Sequence, residues 1–223
     1  MSKVQLVVRD RSERGHARFT ARVEELLPDL LAREPRGLKV TAPESAPPRL
    51  SLVPFARVPA ALLSIWTDGE LGEWARIAER RGFEVSAHAV EESTPLAYRR
   101  TWADGERTPS VVLLTLFRRR PGLNDGDFIR RWHGGHTPLA LSIHPYLAYQ
   151  RNVVVASHGS PLDAIVEEHF PSREALLHPH RLFGGPLRMW PNMARVALDI
   201  ARFIDLRSLE NHLLTERWIR TPR

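Results

Sequence analysis

The sequence predicts an α+β chain of two tandem ferredoxin-like βαββαβ modules that close into one intrachain α/β barrel. Three observations carry this expectation. The pattern order β-α-β-β-α-β occurs once before residue 95 and again after residue 110. The 223 residues, 43% of them apolar, suffice for two small cores. A four-stranded antiparallel sheet with helices on one face leaves its other face apolar, and two modules can hide those faces against each other.

In the first half, Val4–Val8 is a short apolar run that reads as a strand. Ala17–Arg33 follows as a helix, with Phe19, Val23, Leu26, Leu27, Leu30 and Leu31 at helical spacing and Pro28 expected to kink or divide it. Thr41–Pro59 holds five prolines and reads as a loop, one of whose extended pieces is to serve as the second strand. Ala60–Trp66 is a buried strand, Glu70–Arg81 an amphipathic helix closed by Gly82, and Phe83–Val90 an alternating strand.

Glu91–Pro109 is polar and without a sustained period, so the chain divides into modules at 1–95 and 110–223 with a linker at 96–109. Past it, Ser110–Arg118 is a strand, Pro121–Asn124 a turn ending in an N-cap, and Asp125–His133 a short helix. Tyr146–Val155 and Asp163–Phe170 are strands. Ser172–Leu177 and Pro191–Phe203 are helical pieces, and His212–Ile219 is the last strand. Arg9 and Phe19 stand ten apart in the first half, as Arg118 and Phe128 do in the second. That register sets Val23 opposite Trp132 and Leu27 opposite His136, so any pocket is expected mainly in the second half.

Composition narrows the chemistry. With no cysteine, disulfides, thiolate catalysis and Cys-rich metal sites are excluded. The apolar start is too short and too soon charged for a signal peptide, and no stretch approaches a membrane span, so a cytoplasmic protein without a membrane partner is expected. The net charge of +6 is carried almost wholly by arginine, Lys3 and Lys39 being the only lysines. Most arginines alternate with acids. The first strands of both halves lack the aromatic pair that stacks RNA bases, so no nucleic-acid partner is expected.

The stretch Phe117–Ala140 runs from strand to an Arg120-Pro121-Gly122 turn, a helix bearing Phe128, then Trp132, then His136 followed by Pro138 and Leu139. Pro145–Asn152 and Asp199–Asp205 add two further ordered motifs. Together they resemble the EthD family of the dimeric α/β-barrel superfamily over about Ser110 to Ile219. The resemblance implies a ferredoxin-like fold, barrel pairing, a homodimer as an allowed assembly, and ligand binding near the helix-one histidine. It also implies relatives that cyclise, isomerise or decarboxylate small aromatic or polyketide-like molecules. Gly134-Gly135 departs from the family, whose members usually carry polar or acidic residues there.

From the residues themselves, Phe128, Trp132 and His136 share a helical face, setting an imidazole beside an aromatic wall. His136 is the candidate base, with a core histidine bonded to a carbonyl as the alternative. Tyr149 and Arg151 share a strand face and could stabilise an enolate or carboxylate, or form core and surface packing. Asp199 orients a base or pairs with Arg195 or Arg202. The expected site is thus catalytic His136 and Tyr149, with Trp132, Arg151, Phe128 and Asp199 binding substrate. His133 with His136 and His178 with His180 form too weak a pattern for a metal site, so no metal is expected. There is no phosphate loop and no nucleophile elbow. The expected function is a cofactor-free acid/base enzyme (cyclase, isomerase or lyase) acting on a small aromatic or polyketide-like oxygenated ligand. A non-catalytic small-molecule binding module is the alternative.

Overall fold

The computed structural model describes residues 2–12 and 15–222. Strands β1 (Ser2–Arg9), β2 (Gly37–Ala42), β3 (Ala60–Thr67) and β4 (Glu84–Leu96) form the first sheet, covered by α1 (His16–Leu31) and α2 (Leu71–Arg80). Strands β5 (Val111–Phe117), β6 (Ala148–His158), β7 (Ala164–Phe170) and β8 (Glu210–Arg220) form the second. Between β5 and β6 run α3 (Asp125–Ile129), a π-helical segment Arg130–His136 and α4 (Thr137–Ile143). Between β7 and β8 lie α5 (Arg173–Leu177), α6 (Pro179–Leu182) and α7 (Met189–Ile200).

The strand order is β4-β1-β3-β2 in the first half and β8-β5-β7-β6 in the second, all antiparallel. This is one topology twice. Edge strand β2 pairs with β8, and β4 with β6, so the two sheets close into a single eight-stranded barrel with no free edge.

Three local expectations need correction. The second strand lies at Gly37–Ala42, ahead of the Pro-rich loop, because residues 37–42 alternate with no proline while the loop's prolines remove ladder donors. The loop contributes only an isolated bridge from Phe55 to Asn211. Strand β4 continues to Leu96, past the expected end at Val90, because β6 supplies partners as far as Tyr149. Pro28 does not divide α1: burial of Leu30 beyond it holds the last turn despite the lost donor.

The barrel interior is only partly apolar. Val7, Leu62, Val112, Leu114, Ile165 and Leu214 form one band. A second layer is ionic: Lys39 Nζ lies 2.7 Å from Glu167 Oε2 and 2.9 Å from Glu216 Oε2. Lys3 Nζ donates to Asn152 Oδ1 at 2.9 Å and pairs with Glu92. Burial works against the charge on Lys39, but the two carboxylates more than offset it and hold its pKa above the usual lysine value. Both lysines of this arginine-rich chain sit inside the barrel. The stacked rings of Trp66 and Trp218 lie over this layer, 5.1 Å apart.

On the outer face of the first sheet, Val4, Leu6 and Val8 of β1 meet Phe19, Val23 and Leu26 of α1 in a continuous apolar core. The second sheet carries two smaller cores beneath its helices.

Candidate functional site

The second half holds a cavity of about 330 Å³ between sheet and helices. Its floor is the outer face of β5, β6 and β7, its walls are the π-helical segment, His144 with Tyr146, and the end of α6, and its roof is α7 with the loop Leu52–Pro54. The lining is dominated by carbon, as binding sites for small apolar molecules are.

Local sequence explains the wall. Asn124 caps α3 by accepting from the Asp127 N–H at 2.8 Å. Phe128 and Trp132 then bury themselves against Phe117, 6.3 and 5.4 Å away between ring centres. Pro138 has no N–H and its ring crowds the carbonyl four residues back, which belongs to Gly134. The helix relieves this by widening into a π-turn. Thr137 N–H bonds to Trp132 O, five residues back, and Thr137 Oγ1 also donates to that carbonyl at 3.0 Å. The expected helix Asp125–His133 is thus an α-turn at its start and π-helical from Arg130, and it continues through the glycines instead of fraying.

His136 ends the π-turn and lines the cavity. Its Nδ1 lies 3.0 Å from Asp199 Oδ2, and its ring packs 5.2 Å from Phe203. A carboxylate only accepts, so the proton sits on Nδ1 and Nε2 keeps its lone pair. Burial lowers the pKa of His136, against the opposing pull of Asp199, which keeps the imidazole neutral near pH 7. Asp199 itself lies behind the histidine. Its nearer partner is His136, with Arg202 at 4.0 Å, while Arg195 reaches Asn192 instead.

Trp132 and Tyr149 line the cavity with His136. Phe128 stands one layer back, between Trp132 and Phe203. Arg151 lies outside, donating to Ser93 Oγ and Thr137 Oγ1 at 3.0 Å each. It braces the π-turn from behind. His133 also stays out of the cavity, its ring 4.8 Å from that of Trp132, and burial with the Arg151 charge holds it at about 4.

One ionisable carboxyl and two neutral polar side chains enter from the floor, none of them singled out in the sequence. Glu168 on β7 accepts from Tyr146 Oη. Thr115 Oγ1 lies 3.0 Å from Asn211 Oδ1 and 3.4 Å from Glu168 Oε2. Asn211 Nδ2 donates to Pro54 O and its Oδ1 accepts, so the Thr115 hydroxyl is shared between Asn211 Oδ1 and the more distant Glu168 Oε2. Burial pushes this carboxyl up to about 7, against the hydrogen bonds of Tyr146 and Thr115. His144, also lining the cavity, donates Nδ1–H to Leu182 O at 2.9 Å and is held at about 4, chiefly by burial.

The signal for Glu168 was present in the strand. Along β7, Ala164, Val166, Glu168 and Phe170 share the outer face, while Ile165, Glu167 and His169 face the barrel interior. A carboxyl among apolar residues on one face marks either a mispaired charge or a site.

No family model matches this chain, and no curated protein does. Solved structures do. An anthrone oxidase-like protein aligns over 100% of this chain and 95% of its own, with TM-score 0.60 and 9% identity. A proposed monooxygenase from Fusobacterium nucleatum subsp. nucleatum aligns over 98% and 93%, with TM-score 0.50 and 8% identity. At such identities the likeness is one of fold, the α/β barrel.

Proposed function

We propose that this protein is an acid/base enzyme acting on a small, planar, aromatic or polyketide-like oxygenated molecule held in the second-half cavity, with His136 as general base. The observation that carries this is the pairing of His136 Nδ1 with Asp199 at the wall of an apolar cavity. Asp199 holds the tautomer, and Nε2 takes a proton from a phenol or from a carbon activated by a neighbouring carbonyl. Negative charge then develops on the substrate oxygen. Glu168 in its protonated form donates a hydrogen bond to that oxygen, and the low-dielectric surroundings strengthen the bond. Trp132 and Tyr149 give the planar ring aromatic walls. Proton transfer of this kind needs no cofactor.

The carbanion has two fates. Reprotonation elsewhere, or attack on a carbonyl within the same molecule, makes the protein an isomerase or cyclase. Reaction with dioxygen makes it an oxidase: an activated methylene and O2 give a ketone and water. The second fate is favoured by the names of the two structural neighbours, one anthrone oxidase-like and one a proposed monooxygenase.

The test uses a hydroxyanthrone. Exchange of its methylene hydrogens with deuterated water is followed by NMR without oxygen, and O2 uptake is followed in air. His136-dependent exchange supports the base, and uptake of one O2 per ketone formed selects the oxidase fate. Saturable binding with neither exchange nor uptake returns the protein to a non-catalytic binding module.

A further inference from the structure

Helix α7 has three faces. Met193, Val196 and Ile200 turn into the cavity. Asn192 and Asp199 turn back to the body of the protein, on Phe183 O and His136. The third face looks outward and is apolar: Trp190 is 66% exposed and Leu198 68%, with Pro191 and Ala194 exposed between them and Leu187 94% exposed just before the helix. The other roof element repeats this, since Leu52 lines the cavity and is 46% exposed while Leu50 is 94% exposed.

The charge beside this surface has one sign. Arg188, Arg195 and Arg202 recur every seven residues and form an exposed ridge along one side of the apolar stripe. Across residues 178–207 there are five arginines and two acids. Of the acids, Asp199 faces His136 with Arg202 4.0 Å away, and Asp205 pairs with Arg118. The loop from Ala46 to Pro59 carries Arg49 and Arg57, both exposed, and no acid. The densest basic run of the chain joins the same surface: Arg120 N–H bonds to Phe203 O at 2.7 Å and Arg120 Nη1 reaches Ala201 O at 3.3 Å, just past the end of α7.

We propose that the outer face of α7 and the Leu50–Leu52 loop is a peripheral docking surface for an anionic lipid bilayer. Tryptophan and leucine enter the headgroup boundary while the arginine ridge meets lipid phosphates. A second copy of the chain fits this surface less well than an anionic one, because the acids beside the ridge, Asp199 and Asp205, are already engaged and would leave its arginines unanswered. Docking here would bring the cavity roof to the membrane, where apolar aromatic molecules partition. That link rests on the proposed substrate class, whereas docking itself is measured with no substrate present.

The test is co-sedimentation of the full chain with vesicles of phosphatidylcholine alone and of phosphatidylcholine containing about one-third phosphatidylglycerol. The chain is expected to sediment with the anionic vesicles at low salt and to be released as salt rises. Arg188→Gln/Arg195→Gln/Arg202→Gln should weaken the partition about a hundredfold, at roughly fivefold per arginine. Trp190→Ser should weaken it as well, and circular dichroism and Tm of both variants establish that they fold. No sedimentation of the wild type with anionic vesicles overturns the proposal. So does equal partition of wild type and folded variants, or a solution dimer that Trp190→Ser dissociates while vesicle binding is absent.

Discussion

The two halves share a strand order and differ in what fills the space between sheet and helices. Under α1 the first half is shut: Phe19, Val23, Leu26 and Leu30 are fully buried against β1, β2 and β3. Under α7 and the π-turn the second half is hollow over about 330 Å³. The aligned positions are Leu27, part of the closed core, and His136, held by Asp199 at the cavity wall. A duplicated topology thus keeps its backbone while one copy maximises apolar burial and the other gives burial up for polar groups with assigned partners. A void and a buried carboxyl both cost stability, and a binding site is where such costs are tolerated.

The comparison is broken first at its most distinctive residue. His136→Ala is expected to lower turnover by about 10²–10⁴-fold, the usual worth of a general base, with folding retained. Unchanged turnover on a verified substrate would remove His136 from the mechanism. In wild type, activity should rise with pH as the buried imidazole loses its proton and fall again above about 7 as Glu168 loses its own.

The equivalent experiment in the first half concerns stability. Leu27→Ala should cost about 2–5 kcal/mol in denaturant unfolding, because it opens a hole in a closed core. Ligand affinity in the second half should hold. A loss below about 1 kcal/mol would mean that the first half is hollow too.

Glu168 sharpens the contrast through pH. Its folded pKa of about 7 lies above the unfolded carboxyl value, so the folded state holds an extra proton between the two. Its contribution is therefore most favourable below the unfolded value and is lost as pH rises toward 7. Glu168→Gln removes that penalty and should raise stability at pH 8, relative to wild type, by on the order of 2 kcal/mol more than at pH 4. A gap that does not change between the two pH values would place an ordinary carboxylate there. The smallest effect is expected at Arg151. Arg151→Ala should cost about 1 kcal/mol from its hydrogen bonds to Ser93 and Thr137. It should leave KM within about twofold, because the guanidinium braces the π-turn from outside the cavity; a large rise in KM would restore Arg151 as a substrate ligand.

Much of this was legible in the chain itself. Apolar runs in β1 and β5, alternation in β4 and helical spacing in α1 and α2 report local patterns of burial and of the 2.0 and 3.6 residue periods, which a backbone imposes wherever it occurs. The same periodicity put Trp132 and His136 on one face and Tyr149 and Arg151 on another. Gly37–Ala42 alternates over only six residues, and so short a period beside a Pro-rich loop does not distinguish a strand from an extended loop.

Tertiary structure decided everything that depends on which face meets what. Tyr149 and Arg151 share a strand face, but the cavity ends between them. Pro191–Phe203 reads as an apolar helix, yet only packing separates the arc that roofs the cavity from the arc that carries Trp190 to the surface. Glu167 and Glu168 are chemically alike neighbours, one locked to Lys39 inside the barrel and the other pushed up to about 7 by burial in the cavity. His136 meets Asp199 across 63 positions of chain, and Lys39 meets Glu167 across 128. A sequence period says which side chains point together; closing the barrel determines what they point at, because pairing and burial are properties of space between elements.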